Sequence, residues 1–154
     1  MSKSLSLIFI LCIIFFCTPQ YTLANIASKY EGNFYIYTYQ YYTSNNTEII
    51  KNGKANIIIC DCKNSLKILN KLEKNKITGM QICTTGNSQT IKNFIKRTKT
   101  NIKYSEKVQN IEFFYGFSSL FVDYTIFNNE KINIQISLEN NKLNIGVPLI
   151  LGSV

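Results

Sequence analysis

The side chains with most chemistry to offer in this chain are three downstream cysteines, nine scattered carboxylates, a row of tyrosines and a run of lysines; histidine is absent. Without imidazole, acid–base or nucleophilic catalysis would have to rest on carboxylate, Lys, Tyr or Cys. Glu31, Glu48, Asp61, Glu73, Glu106, Glu112, Asp123, Glu130 and Glu139 stand singly, with no paired motif, and no Gly-rich phosphate loop occurs. No catalytic residue and no cofactor is assigned on this basis, and the reading is that the protein is not an enzyme.

Cys60, Cys62 and Cys83 follow two cysteines, Cys12 and Cys17, that lie in an N-terminal apolar run. Three thiols cannot make a closed disulfide framework, although Cys83 could pair with Cys60 or Cys62 in an oxidising compartment. A zinc site would have to be built from these thiols and carboxylates alone, so no metal is assigned. The preferred reading is small buried hydrophobes.

Binding chemistry is better represented. Tyr35, Tyr37, Tyr39 and Tyr41 alternate through NFYIYTYQYYT, residues 33 to 43. On a strand they would share one face, as a stacking platform for sugars or bases or, more commonly, as a covered sheet face. Lys92, Lys96, Lys99 and Lys103 recur at helical spacing, and one helix would align their ammonium groups into a stripe able to follow a polyanion. The plainer alternative is a solvated face that keeps the domain soluble.

These residues must be positioned by local elements. Residues 33 to 43 are β-branched and aromatic and predict a strand. Lys54 to Cys60 fits a strand or the approach to a helix. Leu66, Ile68, Leu69 and Leu72 predict an amphipathic helix from Asn64 to Lys74, capped by Asp61 or Asn64. A short strand over Met80 to Thr85 precedes a second helix, in which Ile91, Phe94, Ile95, Thr98 and Ile102 mark the apolar side. Val108 to Phe117 follows as a further apolar run.

Upstream, Lys3 precedes an unbroken apolar run from Leu7 to Cys17, and Thr22-Leu23-Ala24 places small residues three and one before Asn25. This is the layout of a secretory signal peptide, residues 1 to 24, ahead of a single domain over 25 to 154. The expected destination is the medium or cell surface after a cut near Ala24. The alternative is a membrane anchor left uncleaved, weakened by a run shorter than the roughly 20 residues of a spanning helix. The cut leaves 16 basic against nine acidic residues, a charge of +7. Such a charge favours anionic partners, but Arg97 is the only arginine, which speaks against bidentate phosphate recognition.

The C-terminal stretch NEKINIQISLENNKLNIGVPLI tests itself for pairing. With Asn140-Asn141 as a two-residue turn, Glu139 meets Lys142, and Leu138, Ile136, Ile134 and Ile132 meet Leu143, Ile145, Val147 and Leu149. Pro148 lacks an amide hydrogen, so the last strand is expected at a sheet edge, or to stop there. VQNIEFFYG followed by Lys131 to Leu138 and Ile145 to Ile150 resembles the C-terminal half of the YwmB family, secreted proteins of Gram-positive spore formers. That resemblance implies an α+β fold like that of the TATA-box-binding protein: a curved antiparallel sheet with two helices packed on one face, here after an N-terminal signal helix. The family label concerns fold, and fold does not fix function. The functional expectation is an exported accessory or binding module for an anionic wall polymer, a membrane face or a protein. The alternative is nucleic-acid binding through the sheet face.

Overall fold

A computed structural model describes residues 19–150. The apolar run and most of the expected leader lie outside the described residues, so the leader reading is not addressed by it. The element order is α1 (Pro19–Ala27), β1 (Gly32–Thr38), β2 (Glu48–Asn52), β3 (Ala55–Asp61), α2 (Ser65–Leu69), β4 (Ile77–Thr85) and α3 (Ser88–Thr98). Then come β5 (Asn101–Val108), β6 (Ile111–Phe117), β7 (Thr125–Phe127), β8 (Glu130–Ile132), β9 (Ile134–Glu139) and β10 (Lys142–Val147).

Eight strands form one sheet in the order β2-β3-β1-β4-β10-β9-β6-β5, antiparallel at every pairing. β7 and β8 make a separate two-stranded ribbon. Alternation sends Phe34 and Ile36 of β1, Ile82 of β4 and Ile145 of β10 to one side of the sheet, where all four are fully buried. Leu23 and Ala24 of α1, Ile68 of α2, and Ile91 and Phe94 of α3 join them in one cluster, so the helices share that face. The fold is therefore α+β, a large antiparallel sheet with its helices on one side.

The C-terminal hairpin has the register that apolar matching predicts near its turn. Glu139 faces Lys142, Leu138 faces Leu143 and Ile136 faces Ile145, with Asn140 and Asn141 at φ of 46° and 64°. Farther out the match ends: the β10–β9 ladder stops at Gly146 opposite Gln135, and Ile132 belongs to β8, opposite Thr125. β10 is also not an edge strand. It lies between β4 and β9 and stops at Val147, before a cis Val147-Pro148 bond.

Several element boundaries differ from expectation for local reasons. β1 ends at Thr38, with a register irregularity against β4 between Tyr37 and Thr38. The first downstream helix shrinks to Ser65–Leu69 after a 3-10 turn at Cys62–Asn64, and neither Asp61 nor Asn64 makes a side-chain cap bond. Leu72 is nevertheless buried. α3 stops at Thr98, whose hydroxyl donates to the Phe94 carbonyl (2.8 Å), while Lys99 turns left-handed at φ 50°. The expected last turn of that helix is instead the start of strand β5, and Ile102 lies opposite Gly116 of β6.

Candidate functional site

The lysine stripe is the first feature that the fold tests. Asn87 starts α3 by accepting hydrogen bonds from the Gln89 and Thr90 amides at 3.0 and 3.1 Å, and Thr90 Oγ1 accepts in return from the Asn87 amide. Ile91 and Phe94 go to the core, which leaves Lys92 and Lys96 exposed on the helix. Lys99 is exposed at the left-handed cap, close to its expected place. Lys103 is removed from the stripe: it sits on β5 and pairs with Glu130 of β8 at 3.1 Å. The expected stripe of four is thus a helix-borne set of three.

The structure supplies what that set loses. Residues 19–30, 62–72 and 87–99 contain the three α-helices, and together they hold Lys29, Lys63, Lys67, Lys71, Lys92, Lys96, Arg97 and Lys99 with no acidic residue, while Glu31, Asp61 and Glu73 stand directly at their ends. All eight are exposed. The other described residues carry eight basic and nine acidic side chains, so the positive excess is concentrated in the helix layer. Little neutralises it there. Lys63 approaches Glu31 at 3.8 Å with both side chains mostly in solvent, and Lys71 lies 6.0 Å from the Tyr42 ring. The repeat of lysine at 63, 67 and 71 was a readable helical signal.

The tyrosine row is divided by the end of β1. Tyr35 and Tyr37 lie on the helix-free face, while Tyr39 and Tyr41 fall beyond the strand and are about three-fifths exposed, at 61% and 62%. A four-ring platform is therefore not formed. Tyr37 is buried and donates through Oη to Gln81 Oε1 (3.2 Å). Gln81 Nε2 reaches Asn144 Oδ1 (3.5 Å), and Asn144 Nδ2 reaches Ser137 Oγ (3.3 Å). One polar chain thus crosses β1, β4, β10 and β9.

A second chain continues on the same face, from Gln135 Nε2 to Tyr115 Oη (3.4 Å) and from Tyr115 Oη to Glu106 Oε1 (2.9 Å). Burial, then the hydrogen bond and charge of Glu106, push the Tyr115 phenol up to about 12. Phe127 of the β7–β8 ribbon stacks on Tyr115 at 5.0 Å, and Tyr104 stands 5.8 Å from the same ring. Beside them the C-terminal segment folds over Gly146, where a Cβ would lie 2.4 Å from the Ile150 nitrogen, and the Ile150 amide donates to Gln135 Oε1 (3.1 Å). Much of this face is therefore occupied by the protein's own chain.

The three cysteines are free thiols in this structure. Register places Phe34 opposite Cys60 and Asn33 opposite Cys83, so Cys60 points to the core and Cys83 to the other face. That geometry opposes the expected Cys60–Cys83 pairing, and Cys62 with Cys83 is likewise unpaired. Burial first, then neighbouring negative charge, pushes Cys60 up to about 12 and Cys62 up to about 11; burial also raises Cys83. Thiols held this far above neutrality are poor nucleophiles and poor metal ligands. Among the described residues no group of three or more Cys, Asp or Glu side chains is arranged for a metal ion.

Compared with known proteins, the chain matches no family model, no curated protein and no solved structure.

Proposed function

We propose that this is an exported, non-enzymatic accessory protein of the cell surface that holds an anionic polymer or surface against its helix layer. The observation that carries the reading is the charge division: eight exposed cations and no carboxylate in the helical segments, against near balance elsewhere. Mobile ammonium groups on one surface suit a repeating anion without demanding a fixed geometry. The raised cysteine pKa values and the lack of histidine support the non-enzymatic half. The YwmB-like resemblance of Lys131 to Leu138 and Ile145 to Ile150, with its TATA-box-binding-protein-like fold, is retained as part of this proposal.

The test is retention on immobilised anionic wall polymer across a salt gradient. Wild-type protein should elute late, and a Lys92→Gln, Lys96→Gln, Lys99→Gln variant should elute at distinctly lower salt; equal elution of the two rules the reading out. Duplex DNA provides the comparison with nucleic-acid binding through the sheet face. That reading requires outward side chains where Gln81, Ser137 and Asn144 are buried and Gly146 is covered. A steeply salt-dependent shift of duplex, insensitive to the three substitutions, would favour it.

A further inference from the structure

We infer that β7 is an interface strand, on which a second copy of this chain adds antiparallel to make a two-fold dimer. Ten large apolar side chains are exposed among the described residues, and five of them, Leu120, Val122, Tyr124, Ile126 and Phe127, fall within eight consecutive positions. The segment is held in this posture. Phe121 joins the main core, and its carbonyl accepts from the buried Asn133 side chain at 2.8 Å. With Phe121 fixed inward, Val122, Tyr124 and Ile126 stand out at every second position, at 72%, 49% and 59% exposure. Single exposed apolar residues are ordinary, whereas a contiguous row of them marks a contact surface.

The backbone decides what covers the row. β7 has one ladder partner among the described residues, β8, and the two are joined by Asn128 and Asn129 at φ of 50° and 62°, a tight two-residue turn. In such a hairpin the residues flanking the turn, Phe127 and Glu130, exchange the ladder bonds. The amides and carbonyls of Ile126 and, by the same alternation, of Tyr124 therefore point away from β8. Lipid tails cannot satisfy those groups. Another extended chain does both, taking the backbone bonds and covering the side chains.

Self-complementarity makes that chain a second copy. With Thr125 on the two-fold axis, Tyr124 of each copy lies opposite Ile126 of the other, an aromatic against a β-branched side chain, and each such pair exchanges two backbone hydrogen bonds. No like charges meet, because β7 is Thr-Ile-Phe and Asp123 falls opposite Phe127 in this register. The outer strands of the large sheet differ in this respect: β2 carries Glu48 and Lys51, and β5 carries Lys103, Glu106 and Lys107. Among β2, β5 and β7, only β7 lacks a charged side chain. The dimer needs none of the helix lysines.

Sedimentation equilibrium of the purified full chain tests this. Wild-type protein should be dimeric in the tens of micromolar, since so small a surface associates weakly, and a monomer throughout that range overturns the inference. Ile126→Glu should be monomeric at the same concentrations with an unchanged circular dichroism spectrum, because the side chain replaced is exposed; a persistent dimer overturns the inference. Thr125→Cys needs no disruption to be read. On the axis the two Thr125 α-carbons lie about 4.5 Å apart as a non-hydrogen-bonded pair, within disulfide reach. Mild oxidation should give covalent dimers well above the wild-type background, and a yield no higher than wild type overturns the pairing. A monomeric wild type that floats with uncharged phosphatidylcholine vesicles, and an Ile126→Glu variant that does not, would mean that lipid covers the row and would also overturn it. The Lys92→Gln, Lys96→Gln, Lys99→Gln variant should dimerise as wild type does, whatever its polymer retention. Loss of its dimer would mean bridging by anions and would overturn strand pairing.

Discussion

The two faces of the sheet are closed by different means. On the helix side, Phe34, Ile36, Ile82 and Ile145 meet aliphatic and aromatic side chains from three helices, and the cations point away from the contact. On the other side, Tyr37, Gln81, Asn144 and Ser137 satisfy one another across four strands, and the β7–β8 ribbon and C-terminal segment lie over neighbouring positions. A sheet with two apolar faces would require a layer on each. This one needs a full helix layer on one face only, because its second face is polar and internally bonded. The proposed polyanion surface is the outside of the helices, where the exposed cations stand.

Substitutions can break this comparison in order of effect. Phe94→Ala removes a fully buried ring between α3 and the sheet and should cost about 3–5 kcal/mol in denaturant unfolding. If the helix side is the main apolar core, no single change on the opposite face should match it. Gln81→Ala cuts the polar chain in the middle and leaves Tyr37 Oη without its acceptor, which should cost about 1–3 kcal/mol by the same measurement. A cost equal to that of Phe94→Ala would show that the two faces carry similar weight. Asn87→Ala takes the α3 cap from two amides and should cost about 1 kcal/mol. Lys96→Gln should fall within about 0.5 kcal/mol of wild type while weakening polymer retention, because an exposed charge away from partners contributes little to folding.

Alkaline pH provides a further contrast. Folding raises the Cys60 thiol from 9.0 to about 12 and the Tyr115 phenol from 10.0 to about 12. A group whose pKa is raised by folding contributes stability below its unfolded value and loses it as pH climbs through the folded one. Stability should therefore be flat below pH 9.0 and decline toward about 12. Thermal midpoints across that range, compared with those of a Cys60→Ala, Tyr115→Phe double variant, would show the decline flattened in the variant.

Legibility in the sequence followed the range of the interactions. The Asn140-Asn141 turn and the three pairs nearest it could be read because they depend on residues close in the chain. Farther out, the ladder stops at Gly146 opposite Gln135, and Ile132 goes to Thr125, a partner that no local pattern names. Lys103 was misplaced for a related reason. Ile91, Phe94, Ile95, Thr98 and Ile102 keep helical spacing, yet Thr98 also accepts a bond from Ser118, twenty positions away, at the point where the chain turns into β5. The separation of Cys60 from Cys83 likewise required the register of β1 against both neighbours. Charge was the opposite case. The acid-free helical segments are visible in the chain itself, and only their assembly into one layer needed the fold.

The sheet has two outer strands, β2 and β5, and their chemistry bears on how the protein behaves when crowded beside its own copies. An outer strand is a template on which another chain can polymerise. β5 opposes this with Lys103 and Lys107, each held by a carboxylate, and with a register break between Ile102 and Tyr104 that spoils a straight row of amides. β2 is five residues long and presents Glu48 and Lys51 to solvent. The same molecule that gathers positive charge on its helices thus keeps charged side chains on both rims of its large sheet, which oppose strand-by-strand extension.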